Sequence, residues 1–108
     1  IDIPQIKFNR IFFVKNTKKT IRGNHAHKKC YQLIFSLFGK IVLICDDGLK
    51  RKKITLKPVE DSYLIPPTIW TKQEYNQKNS ILGVICNEIY DEKDYIRNYE
   101  KFKKYYKL

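Results

Sequence analysis

Short apolar runs alternate with turn-forming residues along most of the chain, a spacing that predicts many short strands and little helix. Arg10-Ile11-Phe12-Phe13-Val14 is the first such run and stops at Asn16-Thr17. Tyr31 to Leu37, closed by Gly39, and Lys40 to Cys45, closed by Asp46-Asp47-Gly48, follow. An Asp-Gly pair between apolar runs is a hairpin signal, because both residues tolerate the positive φ of tight turns. Ile54 to Leu56, Ser62 to Ile65 and Ile81 to Cys86 complete the series, and Trp70 to Tyr75 resumes the sheet after the break at Pro66-Pro67. Helical spacing is confined to the segment from Tyr90 onward, where Tyr95, Ile96, Tyr99 and Phe102 fall on one face. The predicted fold class is all-β, a small antiparallel barrel or jelly roll with a short C-terminal helix.

Both histidines of the chain stand in one segment, Arg22-Gly23-Asn24-His25-Ala26-His27-Lys28. Side chains alternate between the faces of a strand, so His25 and His27 share a face and Ala26 takes the other. On a barrel strand that face looks into the mouth of the barrel. Imidazoles titrating near ~6.5 can exchange protons at neutral pH or hold a metal. Barrel metal sites of the cupin type add a glutamate a few residues on and a third histidine from a later strand. Here the first position is close to Gln32, and Pro66 to Thr71 holds no histidine. Catalytic metals need three good protein ligands, so no metal is expected and the pair is assigned to acid–base chemistry.

Composition narrows the partners. With 108 residues, 43% of them hydrophobic, the chain suits one domain. No signal-peptide pattern or uninterrupted apolar span is present, which makes a cytoplasmic protein the expectation. Cys30, Cys45 and Cys86 are odd in number and widely spaced, as in reduced thiols, and alternation turns Cys30 away from the histidines. A net charge of +11 asks for an anionic partner. The lysines are spread along the chain, against a focused nucleic-acid groove, and the basic C-terminal tail reads as a solvated helix that packs Phe102 on the body.

The run Arg22 to Lys28, then Gln32, Asp46-Asp47-Gly48, the turn from Ile65 to Trp70 and above all Tyr90-Asp91-Glu92-Lys93-Asp94-Tyr95-Ile96-Arg97-Asn98-Tyr99 resemble the cupin sugar 3,4-ketoisomerases acting on dTDP-4-keto-6-deoxyglucose. The resemblance runs from about Ile6 to Phe102. It implies a metal-independent, cofactor-free, dimeric isomerase of deoxysugar biosynthesis, whose partners are a dTDP-linked keto-deoxysugar and a second copy rather than nucleic acid or membrane. It also implies strand sequence ahead of this chain's first residue, so 1–108 is expected to be a single cupin-like domain lacking that segment. His25 and His27 are then the candidate acid–base pair, and the residues leave open which one attacks carbon. Arg22, Lys28 and Arg10 are candidates for the diphosphate, Arg10 being equally readable as a surface charge. Gln32 is placed to hydrogen-bond the sugar, and Trp70 either lines the site or sits in the core. The family's pocket tyrosine on the strand before the histidines is matched here by Phe12-Phe13, which assigns Phe13 to the substrate pocket. The segment from Tyr90 to Tyr99 is expected to close the barrel rather than touch substrate. A non-catalytic sugar-nucleotide-binding module is the alternative.

Overall fold

A computed structural model describes residues 7–108. In it the apolar runs become β1 (Arg10–Asn16), β2 (Thr20–His27), β3 (Gln32–Phe38), β4 (Ile41–Asp46), β5 (Arg51–Leu56), β6 (Ser62–Ile65), β7 (Trp70–Tyr75), β8 (Ser80–Cys86) and β9 (Tyr95–Ile96), followed by α1 (Tyr99–Tyr105). They pair into two antiparallel sheets of order β1-β8-β3-β6 and β5-β4-β7-β2-β9. The jelly-roll expectation holds. Alternation sends Ile34, Ile41, Leu43, Tyr75, Leu82 and Val84 between the sheets, where all are buried. Each aliphatic side chain taken fully out of water there contributes about 1.5–3 kcal/mol.

The hairpin at Asp46-Asp47-Gly48 forms as its sequence requires. Gly48 adopts φ +96°, Asp46 Oδ1 accepts from Gly48 N at 2.7 Å, and Asp47 Oδ1 accepts from Leu49 N and Lys50 N, each at 2.8 Å.

The helix expected from Tyr90 is a correction. Asp91 caps a single 3-10 turn at Glu92–Asp94 by accepting from Lys93 N, and the chain then runs extended, pairing Tyr95 with His27 and Ile96 with Ala26. Asn98 starts α1 by accepting from Lys101 N at 3.0 Å. Two local caps and an open backbone edge on β2 outcompete a continuous helix. Alternation on β9 turns Tyr95 toward the histidines and Ile96 toward the buried Ala26 and Phe102.

Candidate active site

Gly23 and Asn24 set the aim of His25. Between β2 and β7 the register passes from Gly23↔Lys72 to His25↔Thr71, leaving Asn24 as an extra residue in a bulge. Gly23 at φ +93° and Asn24 at φ 58° carry the left-handed backbone, and a Cβ on Gly23 would meet Thr71 O at 3.2 Å. Beyond the bulge His25 faces a cavity of about 480 Å³ between the two sheets. Phe12, Val14, Leu82 and Val84 form its apolar wall, and Arg22, Gln32, Gln73, Tyr95 and Arg97 supply its polar groups.

Neither ring nitrogen of His25 has a hydrogen-bond partner among the described residues. Burial, reinforced by the neighbouring His27, holds its pKa down to about 4, so at neutral pH it is an uncharged imidazole with a free lone pair.

The two histidines do share a face, with ring centroids 5.1 Å apart and planes at 89°, while Ala26 packs on the opposite side. They are not equivalent. His27 does not line the cavity; it lies one layer deeper, 4% exposed, with Nδ1 at 2.9 Å from Asp94 Oδ2. A carboxylate accepts, so Nδ1 carries the hydrogen. Burial lowers the pKa of His27, and Asp94 offsets part of that. Asp94 also accepts from Lys29 N at 2.7 Å and Cys30 N at 3.3 Å, and its carbonyl accepts from Lys28 N at 2.9 Å. The turn after β2 is folded around this one carboxylate.

Cys30 falls in that turn, where strand alternation no longer applies. Its sulfur therefore comes within 4.8 Å of the His27 and Asp94 ligand atoms rather than facing away. The trio suits a structural clamp better than a cation. Asp94 is already committed to three N–H donors, and the hydrogen bond with the Cys86 sulfur, reinforced by burial, raises the Cys30 thiol's pKa far above its ordinary value. Cys86 is shifted the other way, by its hydrogen bond with Cys30 and by Arg10 Nη2 at 3.3 Å.

Of the remaining expected residues, Gln32 and Arg22 line the cavity, with Arg22 Nε donating to the buried Asn16 Oδ1 at 2.5 Å. Arg10 is not a strand-end surface charge. Its guanidinium is half-buried, 5.1 Å from the Phe12 ring centroid and 3.5 Å from Tyr95 Oη.

Two placements, Lys28 and Phe13, are corrected, and Trp70 takes the second of its two readings. Lys28 lies outside the cavity in a neighbouring cleft, its Nζ 5.5 Å from the Tyr105 ring. Trp70 packs on Tyr99 and Phe102 at 5.4 and 5.7 Å beneath α1, as a core residue. Phe13 points out of the barrel, 53% exposed and edge-on to Phe35, because the register of β1 on β8 turns Phe12 inward instead.

Tyr95, Arg97 and Asp94 are the residues the sequence reading missed. The Tyr95 ring lies 5.2 Å from His25 and 4.3 Å from His27, and the Arg97 guanidinium sits 4.4 Å over it, held by Glu92 at 2.7 and 3.0 Å.

Comparison with known proteins bears on this arrangement. The family model described as FdtA, WxcM-like, C-terminal, matches residues 2–107. A TDP-4-oxo-6-deoxy-alpha-D-glucose-3,4-oxoisomerase from Aneurinibacillus thermoaerophilus is 36% identical over 105 residues, covering 96% of this chain and 75% of the relative. A 3,4-ketoisomerase from Helicobacter canadensis superposes with a TM-score of 0.90 at 27% identity, over 95% of this chain and 78% of that one. The 3,4-ketoisomerase QdtA from Thermoanaerobacterium thermosaccharolyticum, a mutant solved in complex with TDP-4-keto-6-deoxyglucose, gives 0.87 at 26% identity, over 94% and 80%.

Proposed function

Because the chain belongs to the FdtA, WxcM-like C-terminal family, we propose that it is a sugar-nucleotide isomerase that moves the ketone of dTDP-4-keto-6-deoxyglucose from C4 to C3. The observation that carries this reading to the atoms is the neutral, unpartnered His25 facing a cavity flanked by Arg22 and Arg97.

The C3 hydrogen is acidified by the adjacent C4 carbonyl. His25 removes it, and the electron pair moves into a C3=C4 bond with negative charge on O4. Loss of the O3 proton, gain of one at O4 and reprotonation at C4 leave the ketone at C3 with no net change in composition. Gln32 is suited to hold a sugar hydroxyl. The arginines supply charge for the diphosphate, Arg22 having only its Nε committed among the described residues. His27, fixed by Asp94, supports His25 from behind. A 3-keto product suits later transamination and incorporation into a polysaccharide.

The test is an NMR time course with dTDP-4-keto-6-deoxyglucose in D2O. Enzyme-dependent loss of the C3 proton signal with growth of a 3-keto product is expected. Binding with neither would leave a non-catalytic module.

The active form is proposed to be a homodimer joined through the outer face of the β1-β8-β3-β6 sheet. Register places Phe13, Gly83 and Phe35 in one row across that face, and Ile11, Ile85 and Leu33 in the next. The ring of Phe35 lies so close over Gly83 that a Cβ there would sit 2.3 Å from it. Ile11 and Phe13 stay exposed on this face, the exposed Phe38 pairs with Ile81 on it, and β1 is an edge strand. Light scattering should give the dimer mass for the wild type and a monomer for Phe13→Lys; an unchanged dimer would move the interface elsewhere. Among the described residues no helix is long and apolar enough to cross a membrane. The buried free thiols of Cys30, Cys45 and Cys86 support the cytoplasm as the compartment.

A further inference from the structure

A base at carbon does not complete the proposed isomerisation. The intermediate must also exchange the proton on O3 for one on O4, and a group with an exchangeable hydrogen at those oxygens is required. His25 is occupied with the carbon-bound proton. The side-chain amides that line the cavity do not ionise at working pH, Arg22 and Arg97 stay charged, and Phe12 has no polar hydrogen. Tyr95 brings the one hydroxyl among the described residues that line the cavity.

Its setting suits proton transfer. Arg10 Nη2 donates toward Tyr95 Oη at 3.5 Å, so the phenol's own hydrogen is left without a protein acceptor among the described residues. The same guanidinium lies 5.1 Å from the Phe12 ring, which puts the hydroxyl end of Tyr95 on the Phe12 side of the cavity. Two arginines bracket the side chain, Arg10 at its oxygen and Arg97 4.4 Å above its ring, which fixes where the hydroxyl is held. Its ring also rests on both imidazoles.

We propose that Tyr95 is a further catalytic residue, whose hydroxyl gives its proton to O4 of the enediolate and takes back the one on O3. The phenol is regenerated in the same turnover, with no co-reactant. This assignment rests on the ketoisomerase reading.

Tyr95→Phe tests it, because the ring that packs on the histidines is kept and only the hydroxyl is removed. The variant is followed by NMR in D2O beside the wild type, with circular dichroism to confirm folding. The expected result is a split: product formation falls about 100-fold or more, while exchange of the C3 hydrogen with solvent continues within about tenfold of wild type. Product formation within about threefold of wild type would overturn the assignment, since the hydroxyl is then dispensable on the scale such groups contribute. Equal loss of exchange and product in a folded variant would overturn it too, placing Tyr95 in the positioning of the histidines. A wild type with neither exchange nor product would instead overturn the ketoisomerase reading, a result distinguishable from both.

Discussion

His25→Asn is expected to lower kcat for keto-sugar isomerisation by about 10²–10⁴, the contribution typical of a positioned general base, while nucleotide affinity stays within a few-fold of wild type. The expectation separates because His25 makes no hydrogen bond that holds the fold together, whereas the arginines proposed to bind the diphosphate are untouched. The pH profile carries a second signature. Only the unprotonated imidazole can accept a proton, and burial places the pKa of the free protein at about 4. The acid limb of kcat/KM should therefore lie near 4 instead of at ~6.5, with activity level through neutrality. Bound substrate adds a diphosphate whose negative charge favours the imidazolium, so the acid limb of kcat should fall at higher pH than that of kcat/KM. Rates across pH 4 to 8 for wild type check this. A kcat/KM limb at ~6.5 would mean that burial does not hold His25 uncharged in the free protein, and would remove the physical basis for its neutral state.

The parts of this site that were legible in the sequence are those governed by strand alternation. His25, His27 and Ala26 take the faces that period-2 geometry demands, and Gln32 follows from β3 in the same way. Parity fails as a guide where it depends on a distant partner. The pairing Phe12↔Val84 and Phe13↔Gly83, which turns Phe12 inward, is fixed by β8 some seventy residues away. Trp70 heads a strand with two possible faces, and only the packing of α1 over one of them decides which is buried. Tyr95 and Arg97 escaped for another reason. A strand of two residues is too short to display a period, and its neighbours Tyr99 and Phe102 complete a helical one. Cys30 is misplaced by extending β2 past His27, where Asp94 has already bent the chain into a turn.

Asp94→Ala is expected to cost the fold about 2–4 kcal/mol. The side chain is 10% exposed and accepts from His27 Nδ1, Lys29 N and Cys30 N, so its removal strands donors that water reaches poorly. An unsatisfied buried donor costs about 1–3 kcal/mol, and the exposed position of Lys29 lets solvent recover part of the total. At about 4–8 °C per kcal/mol for a domain of this size, the melting temperature should drop by about 8 °C or more. Asp94→Asn separates structure from chemistry. The amide can still accept from Lys29 N, which protects the turn and should hold the stability loss below that of the alanine variant. If its NH2 replaces Oδ2 opposite His27, it presents a donor to Nδ1 and forces the hydrogen to Nε2. His27 then carries its hydrogen on the nitrogen that had been a free acceptor beside His25. Turnover should fall about 10- to 100-fold, the cost usual for removing the group that orients a functional histidine. Chemical denaturation of both variants, with NMR of the imidazole nitrogens to read the tautomer, distinguishes the two effects. A stable Asp94→Asn protein with the wild-type tautomer and reduced turnover would show that the carboxylate acts through its charge rather than through the geometry it imposes on His27.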